Sequence, residues 1–151
     1  MKVRTLEEVK ELVKGKRVVS TNGVFDILHV GHLKYLQEAK KLGDVLVIGV
    51  NSDESVKRYK GDKRPLNDVD SRMELLAGLE CVDYVFSFNE DDPRGFLKVL
   101  KPSIHVKAGD YTLPLVESGV VEENCGKVKI LDFVDGRSTS DIIEKVLDAY
   151  S

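Results

Sequence analysis

Apolar positions along this chain alternate between a helical period and short continuous runs, from one end to the other. Leu6, Val9, Leu12 and Val13 fall on one helical stripe behind Thr5-Leu6-Glu7-Glu8, which has capping-box spacing, and Gly15 stops it. Arg17 to Ser20 predicts the first strand. Helical spacing returns at Leu33, Leu36 and Ala39, with Gly43 as the C-terminal stop. Val45 to Val50 is an unbroken apolar run, the pattern of a strand buried on both faces. A short helix through Ser55 to Tyr59 leads into a polar, basic loop from Lys60 to Asn67. The next helix starts near Asp68 and carries Met73, Leu76 and Leu79.

Tyr84 to Phe86 predicts a third strand. Asp92-Pro93 opens a helix that ends before Pro102, with a carboxylate at the cap and proline in the first turn. Ile104 to Val106 and Val128 to Leu131 predict the fourth and fifth strands, separated by a helix from Val116 to Glu123. Ser138-Thr139-Ser140-Asp141 starts the last helix, with Ile142, Ile143, Val146 and Leu147 facing inward. Strands alternating with helices predict an α/β fold: one Rossmann-like domain over residues 1–151, with a five-stranded, mostly parallel sheet and helices on both faces. No repeat, low-complexity tract or linker divides the chain. Ligands of such sheets lie beyond the carboxyl ends of the strands, at a switch point, so the turn after the first strand is the place to look.

Composition narrows the picture. A chain of 151 residues suits a single domain, and a domain of that size buries about 70% of its unfolded surface. Apolar residues make up 42% and charged residues 32%, as in water-soluble globular proteins. The net charge of −3 shows no general nucleic-acid footprint, so phosphate binding has to come from local positive charge. The apolar runs fall far short of the ~20 residues that span a bilayer. Met1 to Thr5 leads directly into a charged helix without a signal-peptide core, and Cys81 and Cys125 lack Cys-x-x-Cys spacing. The expectation is a cytoplasmic protein with two reduced cysteines and no membrane contact.

Candidate chemistry concentrates at Thr21 to His32. An apolar strand feeds a glycine-containing turn that delivers His29 and His32, with Gly31 between them, to a helix start. Free backbone N–H groups and the helix dipole favour an anion there, and two imidazoles add donors. Three readings stay open: both rings donate to phosphate, the rings form a metal pair, or one caps the helix while the other is buried. No third ligand with suitable spacing follows, so no metal site is assigned. Lys60, Lys63 and Arg64 sit in a loop with Gly61 and read either as a phosphate clamp or as a solvated turn. Arg72, one turn into a helix, can meet a phosphate or a neighbouring carboxylate. Lys107 and Asp110 follow the fourth strand, where Lys107 can meet a sugar phosphate and Asp110 a hydroxyl. Gly136-Arg137-Ser138-Thr139-Ser140 is a second helix start with capping or anion-binding chemistry. Glu90-Asp91-Asp92 can touch sugar hydroxyls, although Asp92 reads better as a cap. His105, inside a strand pattern, reads as a packed histidine.

Gly-Val-Phe-Asp-Ile-Leu-His-Val-Gly-His, from Gly23 to His32, resembles the signature of the cytidylyltransferase-like nucleotidyltransferases. Thr21-Asn22-Gly23, Asn51-Ser52-Asp53, Lys60-Gly61-Asp62-Lys63-Arg64-Pro65, Arg72, Val106 to Tyr111 and Asp135 to Ser140 are similar to one branch, the adenylyltransferase domain of ADP-heptose synthases. That resemblance implies transfer of AMP from ATP to D-glycero-D-manno-heptose 1-phosphate, with magnesium accompanying ATP and a homodimeric assembly. It implies catalytic roles for His29, His32 and Lys60. It implies nucleotide binding by Asn22, Gly23, Val24, Phe25, Gly31, Arg72, Gly136, Arg137, Ser138 and Thr139, and sugar-phosphate binding by Asp26, Arg64, Lys107 and Asp110. Ala108 replaces a second glycine usual in the branch, and Arg137 replaces an aromatic or smaller residue. Phe133 stands where glycerol-3-phosphate cytidylyltransferases carry arginine, which argues against that alternative, a CTP-using enzyme. A nucleotide-binding regulator without turnover is the remaining alternative, and it would not need the full set of His29, His32 and Lys60. The sugar-kinase domain fused to this one in many relatives is absent, so a stand-alone form is expected.

Overall fold

Successive strand side chains point into two separate apolar clusters, and the helices sort onto the two faces accordingly. In the computed structural model, which describes residues 1–109, 111–132 and 138–151, β2 (Val45–Asn51) is buried at every position. Leu46, Ile48 and Val50 point into one apolar cluster, Val45 and Val47 into the other. The first cluster takes Tyr35, Leu36 and Ala39 from α2 (Val30–Lys40) and Met73 and Leu76 from α4 (Val69–Ala77). The second takes Val9 from α1 (Leu6–Leu12), Phe96, Leu97 and Leu100 from α5 (Arg94–Leu100), and Val121 from α6 (Ser118–Glu123). Each such aliphatic or aromatic side chain contributes roughly 1.5–3 kcal/mol by leaving water. Gly49 lets Phe86 and Phe96 close over β2, since a Cβ there would lie 3.1 and 3.2 Å from their rings.

The sheet runs β3 (Tyr84–Phe88), β2, β1 (Val18–Gly23), β4 (Ile104–Ala108), β5 (Lys127–Leu131), and every pairing is parallel. The chain winds one way from β1 through β2 and β3, then the other way through β4 and β5. The order therefore reverses between β1 and β4, which opens a crevice beyond Gly23 and Ala108. α3 (Asp53–Lys60) follows β2 directly, and α7 (Thr139–Tyr150) closes the described chain.

The expected α/β fold is the observed one, with differences at several elements; β3 and β4 run on to Phe88 and Ala108, α4 ends at Ala77 and α6 starts at Ser118. β1 continues three residues past Ser20, because Thr21, Asn22 and Gly23 stay in register with Ile48, Gly49 and Val50. Gly43 serves close approach rather than a left-handed cap: a Cβ there would lie 2.6 Å from the Arg17 carbonyl oxygen. The inward face predicted for α7 is corrected, since no α7 residue is buried and Val146 and Leu147 are 53% and 62% exposed. The stripe is present, but the period of a helix says only that it has an apolar face, not that its own chain covers it. Among the described residues no helix is long and apolar enough to cross a membrane.

Candidate active site

The turn after β1 is built by backbone demands that few sequences meet. Phe25 takes a positive φ of 53°, and its ring, 6% exposed, packs under the turn. Asp26, buried beside it, accepts hydrogen bonds from the backbone N–H groups of Leu66 and Asn67 at 2.8 Å each and pairs with Arg64 Nε at 2.9 Å. Burial pushes the Asp26 carboxyl up, but the two backbone donors and Arg64 outweigh it and hold it below the usual carboxylate range. Asp26 thus fastens the basic loop to the β1–α2 turn.

His29 and His32 use one nitrogen each to finish the helix. His29 is the N-cap of α2, its Nδ1 accepting from the Gly31 N–H at 3.1 Å. The His29 N–H donates to His32 Nδ1 at 3.3 Å, so histidines supply both halves of a capping box. An imidazole that accepts at Nδ1 carries its proton on Nε2 when neutral. Burial, with the His29 ring adding, holds His32 down to about 4, so it is neutral at physiological pH. The rings stack with centroids 3.8 Å apart, and Phe25 braces His32 from 5.3 Å. Nδ1 of each ring serves the helix, and a neutral ring then carries its proton at Nε2.

His32 lines a narrow cavity of about 160 Å³ with Asn22, Gly23, Val24, Phe25 and Lys107. Asn22 Oδ1 is buried there without a hydrogen-bond partner among the described residues. A wider cavity of about 400 Å³ adjoins it through Asn22, Gly23, Lys107 and Tyr111, and adds Asn51, Tyr59, Asp91, Asp92 and Glu117. The two form one cleft along the β1–β4 switch point, with Lys107 at the seam. The Lys107 ammonium lies 3.5 Å from Glu117 Oε1 and 6.0 Å from the Tyr111 ring centroid. α7 starts beside the histidine turn: Ser138 Oγ accepts from the Asp141 N–H, and Thr139 Oγ1 donates to the Ile27 carbonyl at 3.3 Å. Two helix N-termini are thereby brought to one turn.

Other expected residues fall elsewhere. Of the two roles open to Arg72, the structure shows the salt bridge, which corrects its expected place at the nucleotide. Its side chain is fully buried and donates to the carbonyls of Val24, Asn51 and Asn67 and to Asp53 at 2.7 Å. Four of its five N–H donors are taken, by those three carbonyls and the Asp53 carboxylate, and the group is sealed from solvent. Asp26 and Arg64 are paired with each other and line neither cavity. Lys60 ends α3 exposed, its ammonium 5.7 Å from the Tyr59 ring centroid, outside both cavities. Asp91 and Asp92 line the wider cavity, paired with Arg58 and Arg94; the N-cap of α5 is Pro93 rather than the expected Asp92, which sits one residue earlier and accepts the Arg94 backbone N–H. Asp110, Phe133, Gly136 and Arg137 lie outside the described residues. Sequence reasoning missed Glu117, Tyr59 and Tyr111. Tyr111 carried a signal, directly following the Lys107 to Asp110 stretch, whereas Glu117 fell within the stretch expected as a helix from Val116 and carried none.

Both cysteines are free. Among the described residues no group of three or more His, Cys, Asp and Glu side chains could hold a metal ion. The donor set at the cleft, imidazole N–H, ammonium and backbone N–H, suits an anion, so a magnesium ion would come bound to a triphosphate.

A parallel sheet with its switch-point crevice capped by a His-x-Gly-His helix start defines a nucleotide-handling α/β domain. Residues 20–145 match the Cytidylyltransferase-like family. The chain therefore belongs to the cytidylyltransferase-like family of nucleotidyltransferase enzymes. It is 55% identical over 141 residues to the bifunctional protein HldE of Geobacter sulfurreducens, a match covering 93% of this chain and 29% of that protein. It is 51% identical over 156 residues to HldE of Trichlorobacter lovleyi, covering 99% and 32%. The chain thus spans about a third of the length of these relatives. A solved lipopolysaccharide core biosynthesis protein from Thermoplasma volcanium is similar at 37% identity and a TM-score of 0.65, covering 80% of this chain and 98% of that one. Pantothenate synthetase from Thermus thermophilus shares the fold alone, at 16% identity and a TM-score of 0.64, covering 89% and 62%.

Proposed function

We propose that this chain transfers AMP from ATP to a sugar 1-phosphate, D-glycero-D-manno-heptose 1-phosphate before others, and releases pyrophosphate. The observation that carries this reading is the pair of stacked imidazoles at the α2 N-terminus, with His32 lining a cavity that opens onto a wider, polyol-sized one. Identity to the HldE relatives and likeness to the lipopolysaccharide core protein support the choice of acceptor.

In this reading an oxygen of the sugar phosphate attacks the α-phosphorus of ATP, and pyrophosphate leaves in line. A phosphate monoester has its second pKa at about 6, so the attacking oxygen is ionised at neutral pH and no strong base is required. Catalysis is then positioning and charge stabilisation. Nε2–H of His29 and of His32 donates to phosphate oxygens as charge builds on them. The N-termini of α2 and α7, with Gly31, Ser138, Thr139, Gly136 and Arg137, hold the triphosphate. Lys107 meets the acceptor in the wider cavity, and Asp110 takes one of its hydroxyls. Lys60 reaches the departing pyrophosphate when the basic loop closes, and Arg64 and Asp26 set that loop's path. Magnesium enters as part of the nucleotide substrate, held by triphosphate oxygens and water. Residues 1–151 act as one catalytic unit, in the cytoplasm, where free cysteines persist. The unit works as a homodimer, in keeping with the exposed apolar stripe of α7.

Pyrophosphate release, assayed with each of ATP, CTP, GTP and UTP against sugar 1-phosphates and glycerol 3-phosphate, tests the reading. ATP with the heptose 1-phosphate is expected to lead. Preference for CTP with glycerol 3-phosphate would replace it with a cytidylyltransferase, and binding of ATP without turnover on any acceptor would make the chain a nucleotide sensor.

A further inference from the structure

The floor of the cleft hides a chain of polar groups that the proposed reaction leaves without a task. Ser20 on β1 and His105 on β4 sit opposite each other in register, both fully buried. Ser20 Oγ lies 2.7 Å from His105 Nδ1. The other edge of the ring, Nε2, faces Glu117 Oε1 at 3.9 Å. Phe96 closes the ring in from 6.2 Å. The Glu117 side chain is 3% exposed, and the same Oε1 lies 3.5 Å from the Lys107 ammonium.

The proton positions follow from chemistry. Burial first, and the charge of Lys107 second, hold His105 down to about 3, so the ring is neutral. A neutral imidazole has one donor and one acceptor, and a carboxylate only accepts. The proton therefore belongs on Nε2, facing Glu117, and Nδ1 accepts from the Ser20 hydroxyl. Neither Nε2 nor Glu117 Oε1 has a hydrogen-bond partner among the described residues, and a shift of about 1 Å would bring them into hydrogen-bond range. A buried carboxylate lacking close donors is costly unless a charge compensates it. The compensating charge at 3.5 Å is Lys107, at the seam of the two cavities, and Arg94 adds to it from further away.

We propose that Glu117, oriented by the Ser20–His105 pair, is the positioning residue for Lys107, drawing its ammonium to the seam where an acceptor's phosphate enters. This rests on the acceptor-binding role given to Lys107 above. A lysine stem otherwise samples many rotamers. Held at 3.5 Å by a carboxylate and flanked by Tyr111, it is aimed yet loosely paired, so an incoming phosphate can take over its donors.

Glu117→Gln keeps the shape and removes the charge. It is expected to lower kcat/KM for the sugar 1-phosphate by ~10-fold while the KM for ATP moves less than about twofold, as loss of aim at one substrate requires. In a Lys107→Met background the same change is expected to have an effect below about twofold, because the two residues act as one unit. An equal effect in both backgrounds, or equal changes in both substrates' KM, overturns the inference. A readout that needs no substrate runs alongside. The Lys107 ammonium, followed by ¹H–¹⁵N NMR in the free protein, is expected to give a slowly exchanging signal in the parent that is lost in Glu117→Gln. An identical signal in both, or none in the parent, overturns the inference even if every sugar phosphate proves inert and the functional reading fails. Should Glu117→Gln not fold, Ser20→Ala is expected to weaken the same NMR signal, and an unaltered signal counts against the inference.

Discussion

In the proposed reaction, His32 serves fold and chemistry through two nitrogens. Nδ1 accepts the His29 N–H and completes the cap, which leaves Nε2–H as the donor towards the narrow cavity. Losing one charge-stabilising donor costs ~100-fold or more in turnover. His32→Ala is expected to lose that much kcat at saturating ATP with its circular dichroism unchanged, and activity within a few-fold of the parent would remove His32 from the mechanism. Its proton equilibrium also makes a stability prediction. The folded value of about 4 lies below the ordinary 6.5, so between them the unfolded chain binds a proton that the folded chain does not. Stability is then full above pH 6.5 and falls as pH drops towards about 4, and His105, held at about 3, adds to the same loss. Thermal melts across that range should show Tm falling with pH, less steeply in His32→Gln. An equal slope in the variant would contradict a neutral, half-buried His32.

At the scale of elements, the cleft keeps its shape because buried charges tie loops to strand ends. Arg72 on α4 holds the carbonyls at the ends of β1 and β2, and its partner Asp53 begins α3. Breaking a buried ion pair by removing one partner costs about 3–5 kcal/mol. Arg72→Met is expected to lose that order of stability in urea denaturation, and a loss under about 1 kcal/mol would show the brace to be dispensable. Asp26→Ala should release the basic loop, seen as faster hydrogen exchange at the amides of Leu66 and Asn67, both of which it accepts from. Unchanged exchange there would mean the loop is held by other contacts. These ties mark the limit of what was legible in the chain. Apolar period and glycine placement carried the strand and helix order, and the His-x-Gly-His turn stood out because local chemistry at a helix start is written in adjacent residues. Arg72 could be read two ways, since three of its four partners lie 19 to 48 residues away in sequence. Glu117 carried no signal, because its meaning comes from His105 and Lys107 on β4, which only the sheet brings to it.

For the molecule as a whole, topology decides where chemistry can sit. The reversal of strand order between β1 and β4 opens one crevice, and the α2 and α7 starts, Lys107 and both adjoining cavities meet there. A larger cavity, about 690 Å³, lies elsewhere, along the chain start, β3 and α5. The start of α1 lines it, but that turn is closed on itself by the Thr5–Glu8 capping box and carries Glu7 and Glu8, and no histidine or lysine joins it, so size alone does not make it the nucleotide site. The apolar stripe of α7 belongs to this scale too. If it covers a second copy, sedimentation is expected to give twice the chain mass, and Leu147→Asp to give monomers; a monomeric parent would refute the proposed assembly. The central claim is that paired imidazoles at the β1–α2 turn grip a triphosphate. Its most direct test is a crystal structure with a non-hydrolysable ATP analogue and magnesium. The account predicts phosphate oxygens within hydrogen-bond distance of Nε2 of His29 and of His32. A nucleotide seated in the cavity along β3 and α5, with both rings untouched, would contradict it.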